Sequence, residues 1–197
     1  MEKVVFLDRD GTLNEEVHYL HKPEDLRILE GVPEALRLLS SAGFKIVVVT
    51  NQAGVARGYY TCEEVEALHE YFNELLAKEG AHIDKFFYCP HHSVHGIGEY
   101  KKECSCRKPG TGMFLEAEQY FQVDKEHSYM IGDKLLDVEA GKNYGIQGIL
   151  VGTGYGAEIH RKLLEEESDL EAGKEPYYDF YAETLMDAAR YIVEREG

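Results

Sequence analysis

A short apolar run that ends in two acids constrains the fold of this chain more than any other stretch. The run is Val4–Leu7, and it is followed at once by Asp8-Arg9-Asp10-Gly11-Thr12. An apolar run of this length bounded by a turn signal is typical of a buried strand in a parallel sheet. Asp8 and Asp10 then lie at the carboxyl end of the strand, where open α/β sheets bind ligands. Their carboxylates could bind Mg²⁺, although Asp and Gly are also ordinary residues of solvated turns.

Apolar segments farther along the chain predict more strands of the same sheet. They span residues 44–50, 86–89, 128–133 and 147–151, and residues 177–180 predict a short edge strand. Helical patterns lie between and after these segments. The first helix begins at 31–34 and ends at Gly43, and the second follows a capping box at Thr61. Two more helices are predicted at 112–121 and 182–194. This alternation predicts an α/β fold with a doubly wound parallel sheet. Only 39 residues separate Asp10 from Thr50, which leaves no room for a large cap domain there.

Length and charge narrow the class of protein. For 197 residues we expect one domain over 1–197 with a full hydrophobic core. The formal net charge of -16 argues against a surface that binds nucleic acid. The first apolar run is too short for a signal peptide, and no stretch approaches the roughly 18 apolar residues of a membrane span. We therefore expect a cytoplasmic monomer that contacts neither nucleic acid nor membrane.

Three cysteines and a histidine form two close pairs that predict a zinc-binding loop at about 89–106. The four residues are Cys89, His91, Cys104 and Cys106. Disulfides are uncommon in the cytoplasm, and this donor set is that of a closed structural zinc site. The spacing is tighter than in nucleic-acid-binding zinc fingers. His92 and His95 are competing ligands, for which a solvated loop is the alternative.

Polar residues follow other strands and should meet the two acids at one edge of the sheet. Thr50, Asn51 and Gln52 follow the second strand and could donate hydrogen bonds to phosphate, or only cap a turn. Asp133 follows the fourth strand and offers another oxygen ligand. Asp137 either holds Asp133 or Lys134 in place or favours the helix dipole. Residues 54–58 predict a flexible loop, and the glycine-rich segment 152–156 predicts a turn.

In this order the motifs resemble those of the haloacid dehalogenase (HAD) superfamily of phosphatases, across most of the chain. The matching residues are Asp8-x-Asp10-Gly11-Thr12, Thr50-Asn51, Lys108, and Gly132-Asp133 with Asp137. The resemblance implies a Rossmann-like fold in which Asp8 attacks phosphorus and forms an aspartyl-phosphate, while Asp10 acts as general acid and base. It also implies that Thr50 and Lys108 hold the phosphoryl group. Mg²⁺ would bind Asp8, the Asp10 carbonyl and Asp133.

The cysteine and histidine pairs followed by Arg107-Lys108-Pro109 resemble one subgroup, whose members act on heptose bisphosphate or histidinol phosphate. Segment 50–58 and the pair Asp133-Lys134 are more similar to the heptose enzymes, which implies a phosphorylated sugar substrate and removal of the C7 phosphate of D-glycero-D-manno-heptose 1,7-bisphosphate. The substrate-binding residues implied by the subgroup are Glu16, Val17, His18, Tyr19, Thr50, Asn51, Gln52, Ala53, Arg107, Lys108, Asp133 and Lys134.

Four other functions stay open at this point. A histidinol-phosphate phosphatase shares the whole motif set. A phosphorylatable signalling receiver also places acids and a lysine at strand ends, but it has no evident use for Asp10 or for zinc. A zinc-based nucleic-acid-binding module is disfavoured by the charge. A phosphatase of nucleic-acid ends shares the Asp-x-Asp-Gly-Thr motif.

Overall fold

The computed structural model describes residues 1–167 and 177–197. Its six strands are β1 (Val4–Leu7), β2 (Lys45–Asn51), β3 (Lys85–Cys89), β4 (Tyr129–Gly132), β5 (Gln147–Val151) and β6 (Phe180–Ala182). They form one sheet in the order β3-β2-β1-β4-β5-β6, and every neighbouring pair is parallel. This order confirms the doubly wound α/β fold. Successive strands are added on one side of β1 up to β3 and on the other side from β4 onwards. The crevice between β1 and β4 is therefore where such sheets bind ligands.

Helices cover both faces of the sheet. They are α1 (Val32–Ser41), α2 (Ala53–Ala56), α3 (Cys62–Lys78), α4 (Gly112–Ala117), α5 (Leu135–Tyr144), α6 (Gly156–Glu167) and α7 (Leu185–Glu196), with short 3-10 turns at Pro23–Asp25, Gly98–Tyr100 and Lys125–His127. In the described ranges, no helix combines the length and apolar character needed to cross a bilayer. Between β1 and β2 the chain forms only a loop, one 3-10 turn and α1, so no cap domain is inserted there.

The central strand β1 is buried because its side chains pack into two separate cores. Successive strand residues point to opposite faces. Val5 and Leu7 therefore join the core built on α1, α3 and α7, whereas Val4 and Phe6 join the core built on α4 and α5. All four residues have no exposed surface. This two-sided burial explains why the run is apolar throughout rather than alternating.

The capping box predicted at Thr61 is present at the start of α3. The Thr61 hydroxyl accepts from the Glu64 backbone N–H at 3.2 Å, and the Glu64 carboxylate accepts from the Thr61 N–H at 2.8 Å. Two amides that lack partners within the helix are thereby satisfied. The apolar face of α3 packs against the sheet through Leu68, Phe72 and Leu76.

Several predicted boundaries were wrong. The loop predicted at 54–58 begins as the short helix α2, packed so closely that a Cβ on Gly54 would lie 2.1 Å from the Tyr60 ring. The edge strand is shifted from 177–180 to Phe180–Ala182, where its register is set by pairing with β5. Helix α7 begins after Thr184, whose hydroxyl accepts from the Asp187 N–H at 3.2 Å. Helix α4 ends at Ala117 rather than at Phe121.

Candidate active site

The loops at the carboxyl ends of β1, β2 and β4 surround a cavity with a volume of about 400 Å³. Asp8 follows β1 directly, Thr50 is the second-to-last residue of β2, and Asp133 follows β4 directly. Because all strands are parallel, their carboxyl ends lie at the same edge of the sheet, and these three residues lie there together. Asp8 and Thr50 line the cavity, and Asp133 lies fully buried beside it.

Lys108 is a buried lysine bound to two carboxylates. Its Nζ lies 2.8 Å from Asp8 Oδ1 and 2.7 Å from Asp137 Oδ1. Burial opposes the charged form of Lys108, but the carboxylates of Asp137 and Asp8 outweigh it and raise the pKa of the lysine. For Asp8, burial is likewise outweighed by the charges of Lys108 and Lys134, which lower its pKa. Both groups are therefore charged at neutral pH.

Asp137 has a more direct place in the site than the sequence suggested. Its Oδ2 accepts from the backbone N–H of Lys134 at 3.1 Å at the start of α5, and its other oxygen pairs with Lys108. The expected link to Lys134 is present, through the backbone. The direct ion pair with Lys108 was not predicted, because nothing in the sequence relates the loop that carries Lys108 to α5.

Three carboxylates converge at the end of the sheet. One oxygen each from Asp8, Asp133 and Asp137 lie within 4.8 Å of one another. Burial and the nearby charge of Asp8 raise the pKa of Asp133 to about 6 and that of Asp137 to about 7. Only two lysines, Lys108 and Lys134, are paired with these three carboxylates, so the cluster has an excess of negative charge when all are ionised. An all-oxygen site with this excess of negative charge suits a hard cation such as Mg²⁺.

Two glycines leave space for the Asp133 carboxylate. Gly11 has φ +82°, and a Cβ there would lie 2.4 Å from Asp133 Oδ2. Gly154 has φ +55°, and its Cβ would lie 2.2 Å from the same oxygen. The neighbouring Tyr155 N–H donates to Asp133 Oδ2 at 3.0 Å. The turn predicted at 152–156 is confirmed, and it also holds an acid of the site in place.

Asp10 lines the same cavity as Asp8, and its carboxylate accepts hydrogen bonds from several side chains. Its Oδ1 accepts from Asn14 Nδ2 at 3.0 Å, and its Oδ2 accepts from Gln52 Nε2 at 3.1 Å. Arg9 forms an ion pair with the same carboxylate at 3.0 Å. Gln52 also donates to the Thr50 hydroxyl at 2.9 Å, so the network joins the ends of β1 and β2.

The cysteines and His91 form a compact cluster at the end of β3. The sulfur of Cys106 lies 3.2 Å from those of both Cys89 and Cys104, and 3.4 Å from His91 Nδ1. All four ligand atoms lie within 4.8 Å of one another. In a tetrahedral zinc site with Zn–S near 2.3 Å, sulfurs would be about 3.8 Å apart, so the cluster fits zinc after a small expansion. His92 lies outside it, with Nδ1 accepting from the backbone of Val94 and His95.

The cavity gathers most of the other residues predicted to bind substrate. Those that line it are Glu16, His18, Tyr19, Asn51, Gln52, Ala53, Arg107 and Lys134. Val17 does not line the cavity and is 38% exposed. Arg57 also lies outside the cavity, with its guanidinium carbon 5.8 Å from the centre of the Tyr19 ring.

Sequence reasoning missed three cavity residues, which are Tyr60, Leu136 and Tyr155. Tyr155 could have been predicted from the sequence, because it follows β5 and a turn at that point lies beside the end of β4. Tyr60 could not have been predicted, because its position depends on how α2 packs. Tyr60 is buried and its hydroxyl donates to Gln52 Oε1 at 2.8 Å.

Comparison with known proteins agrees with this arrangement. The family model described as polynucleotide kinase 3 phosphatase matches residues 3–145, and one described as HAD-hydrolase-like matches residues 105–188. A D-glycero-beta-D-manno-heptose-1,7-bisphosphate 7-phosphatase from Haemophilus influenzae is 44% identical over 155 residues, covering 78% of this chain and 84% of that protein. A protein of the same name from Haemophilus ducreyi is 39% identical over 193 residues, covering 97% and 98%.

A solved structure extends the comparison to three dimensions. The D,D-heptose 1,7-bisphosphate phosphatase from B. bronchiseptica, in complex with magnesium and phosphate, has a TM-score of 0.80 and 31% identity, covering 98% of this chain and 99% of that one. Sequence similarity and fold therefore lead to the same group of proteins, and the resemblance inferred from the motifs is confirmed. The chain belongs to the haloacid dehalogenase superfamily of phosphatases, among the relatives of the heptose-bisphosphate phosphatases.

Proposed function

We propose that this phosphatase depends on Mg²⁺ and removes the C7 phosphate of D-glycero-β-D-manno-heptose 1,7-bisphosphate through a phosphorylated Asp8. The observation that carries the proposal is the position of Arg107, which lines the same cavity as the Asp8–Lys108 pair. The β anomer follows the names of the relatives. We also propose that residues 1–197 form one domain that acts as a monomer, which a mass measurement in solution tests.

Asp8 has the properties of the nucleophile. It lines the cavity, and Lys108 and Lys134 keep it ionised despite its burial. Its free carboxylate oxygen attacks phosphorus, and the phosphoryl group moves from the sugar oxygen to Asp8. Lys108 lies where it can neutralise charge on the phosphoryl oxygens during this transfer.

Thr50 binds the phosphoryl group, and Asp10 transfers protons to and from the reacting oxygens. The Thr50 hydroxyl accepts from Gln52 Nε2, so its own proton is free to donate to a phosphoryl oxygen. Asp10 lines the cavity beside Asp8 and gives a proton to the leaving sugar oxygen. It then takes a proton from the water that hydrolyses the aspartyl-phosphate. This returns both carboxylates to their starting states.

The metal proposals rest on the donor sets described above. Asp8 and Asp133, with the backbone carbonyl of Asp10, would hold Mg²⁺. When bound, Mg²⁺ screens the repulsion between the attacking carboxylate and the phosphate. Zinc would be held by the cysteine and His91 cluster. Arg107 follows this cluster, and its Nη1 donates to the backbone carbonyl of His91 at 3.3 Å, so a structural zinc would fix the position of the arginine.

Arg107 also supports a doubly phosphorylated substrate. Within the described part of the chain, no acid forms an ion pair with its guanidinium. An arginine offers a planar fork of donors that suits a second phosphate. Lys134, by contrast, is paired with Glu16 at 3.4 Å and Asp133 at 3.2 Å. A histidinol ligand carries a cationic amine, which Arg107 would repel, although Glu16 in the same cavity could attract it.

A panel of substrates tests the assignment. We expect kcat/KM to be highest for the heptose 1,7-bisphosphate, with phosphate released from C7, and lower for the 1-monophosphate, the 7-monophosphate and histidinol phosphate. The α anomer and an oligonucleotide with a 3′-phosphate complete the panel, since one matching family model carries the name of an end phosphatase. A preference for histidinol phosphate or for the oligonucleotide would contradict the substrate.

The Arg107→Ala variant tests the proposed contact between Arg107 and the second phosphate of the substrate. We expect it to lower kcat/KM for the bisphosphate by about 10- to 100-fold, the loss of one charged hydrogen-bonding group, and to change the 7-monophosphate much less. Arg57→Ala is a matched control, because this arginine lies outside the cavity. Equal losses for the bisphosphate and the monophosphate would remove the proposed contact while leaving the phosphatase assignment intact.

A further inference from the structure

Arg9 is a charged side chain with no exposed surface, placed between the two acids of the first motif. Its Nη2 donates to Asp10 Oδ2 at 3.0 Å and to Gln52 Oε1 at 3.2 Å. Its Nε donates to Asp10 Oδ1 at 3.2 Å. The guanidinium therefore contacts both oxygens of Asp10 as well as the glutamine that binds the same carboxylate.

His69 completes the surroundings of Arg9 on the side away from Asp10. Its Nε2 lies 3.2 Å from Arg9 Nη1. Because arginine can only donate, Nε2 must be the accepting nitrogen of a neutral ring. Burial and the charge of Arg9 lower the pKa of His69 well below its usual value, in agreement with a neutral ring. The ring also stacks on Phe86 with centroids 4.4 Å apart, which fixes its plane.

A buried arginine is costly unless its charge and donors are satisfied. Here its only ionic partner among the described residues is Asp10, a residue that faces the cavity. If Arg9 served only the core, an apolar side chain of similar volume would do as well or better. The arrangement instead restricts the rotation of one particular carboxylate.

We propose that Arg9 is a positioning residue that holds the Asp10 carboxylate in place for proton transfer to the leaving oxygen. His69 in turn holds Arg9 in place by accepting from its Nη1. This inference rests on the proposed role of Asp10 as general acid. A general acid matters most when the leaving oxygen is strongly basic, as in a sugar alkoxide. A nitrophenolate leaves without such help. The two kinds of substrate therefore separate a defect in proton transfer from a general loss of activity.

The test compares kcat/KM for p-nitrophenyl phosphate, phenyl phosphate and glycerol phosphate. In Arg9→Met, which keeps the length and loses the donors, we expect kcat/KM for glycerol phosphate to fall at least tenfold more than for p-nitrophenyl phosphate, with phenyl phosphate between them. Arg9→Lys keeps the charge but replaces the planar guanidinium with a single ammonium, and should recover part of the difference. Asp10→Asn provides the reference, with the largest difference of the series.

Variants of His69 give a second, independent measurement. His69→Gln keeps an acceptor for Arg9, whereas His69→Phe keeps the stacking on Phe86 and removes the acceptor. We expect His69→Phe to shift the ratio of the two substrates in the direction of Arg9→Met, and His69→Gln to stay near the starting protein. Ser128→Ala is the control for lost stability, because Ser128 is fully buried at the opposite edge of the sheet and accepts from the Val4 N–H at 3.0 Å.

The outcomes separate this inference from the proposed function. If Asp10→Asn shows the leaving-group dependence and Arg9→Met slows all three substrates equally, the role of Arg9 is overturned while that of Asp10 stands. If Asp10→Asn itself slows all three equally, the general-acid role of Asp10 fails, and the role of Arg9 fails with it. Should Arg9→Met not fold, His69→Phe against His69→Gln decides, and equal ratios in those two variants overturn the inference.

Discussion

Asn51 holds the backbone of Lys108 through both ends of its amide. Its Oδ1 accepts from the Lys108 N–H at 3.0 Å, and its Nδ2 donates to the Lys108 carbonyl at 3.2 Å. Asn73 holds Ile83 in the same way, at 2.8 Å and 2.9 Å, and neither of these residues lines the cavity. Among the described residues this pair of hydrogen bonds therefore occurs at both asparagines, and of the two only Asn51 lies beside the proposed phosphoryl site.

The first prediction compares these two asparagines. Asn51→Ala should lower kcat by about 10- to 100-fold, the usual cost of losing a residue that orients a group in an active site, because the Lys108 ammonium loses its fixed position. Asn73→Ala should lower the melting temperature and leave kcat near its starting value. Phosphate release and thermal unfolding measure the two effects. Equal kcat values for the two variants would show that the Asn51 contact has no catalytic importance.

The second prediction concerns the proposed nucleophile. Asp8→Asn should lower turnover by more than about a thousandfold, since an amide cannot form the acyl-phosphate. The fold should remain intact, because Lys108 keeps its contact with Asp137 and one charge is removed from a crowded set of carboxylates. Circular dichroism checks the fold, and phosphate release checks turnover. Multiple turnovers at more than a trace of the original rate would exclude the mechanism.

The third prediction uses two glycines with similar backbone angles. Gly11 has φ +82° and Gly43 has φ +86°, but a Cβ on Gly43 would have nothing within 4 Å. Gly43→Ala should lose about 1 to 2 kcal/mol of stability from backbone strain alone and keep full activity. Gly11→Ala adds a clash with Asp133 and should also weaken activation by Mg²⁺. The Mg²⁺ concentration for half-maximal activity is the measurement, and an unchanged value in Gly11→Ala would refute the prediction.

The fourth prediction separates the two metals. A short exposure to EDTA should stop activity, and added Mg²⁺ should restore it, because Mg²⁺ has few protein ligands and retains several waters. Zinc held by four protein ligands should survive that treatment at one ion per chain. Elemental analysis and activity are followed together. Protein made with zinc present but containing none would exclude the zinc site, and so would a Cys104→Ser variant with unchanged stability.

The fifth prediction is a pH dependence of Mg²⁺ binding. Burial and Asp8 raise the pKa of Asp133 to about 6 in the metal-free fold. A folded-state pKa above the unfolded value means that the metal-free protein loses stability as pH rises from about 4 to about 6. Mg²⁺ binds the deprotonated form and offsets this loss. The difference in melting temperature between Mg²⁺-loaded and metal-free protein should therefore increase from pH 5 to pH 7.5, and a constant difference would contradict it.

Sequence reasoning succeeded where one rule of sheet geometry was enough. Apolar runs located five of the six strands to within a few residues, and parallel order then required their carboxyl ends to share an edge. Asp8, Thr50 and Asp133 were brought together on that basis, and the structure has them around one cavity or beside it. The order of motifs along the chain gave the family.

The features of the site that were not predicted depend on packing between segments that lie far apart in the sequence. The sequence around Arg9 did not predict its burial, which follows from the positions of Gln52 and His69 in distant segments. The Lys108 contact with Asp137 joins a loop to a helix start for the same reason. Val17 was carried over from the subgroup pattern, but it does not line the cavity in this chain.

The sheet order has a consequence for synthesis. The two neighbours of β1 are β2 and β4, so a ribosome that has released residues through Asn51 has supplied only one of them. Until Tyr129–Gly132 emerges, one edge of an apolar strand has no neighbour, and unpaired strand edges of this kind are prone to join other chains. Asp8 and Lys108 are 100 residues apart, and the second carboxylate for that lysine is made later still. Polypeptides that stop before β4 would therefore aggregate rather than accumulate as partly active enzyme.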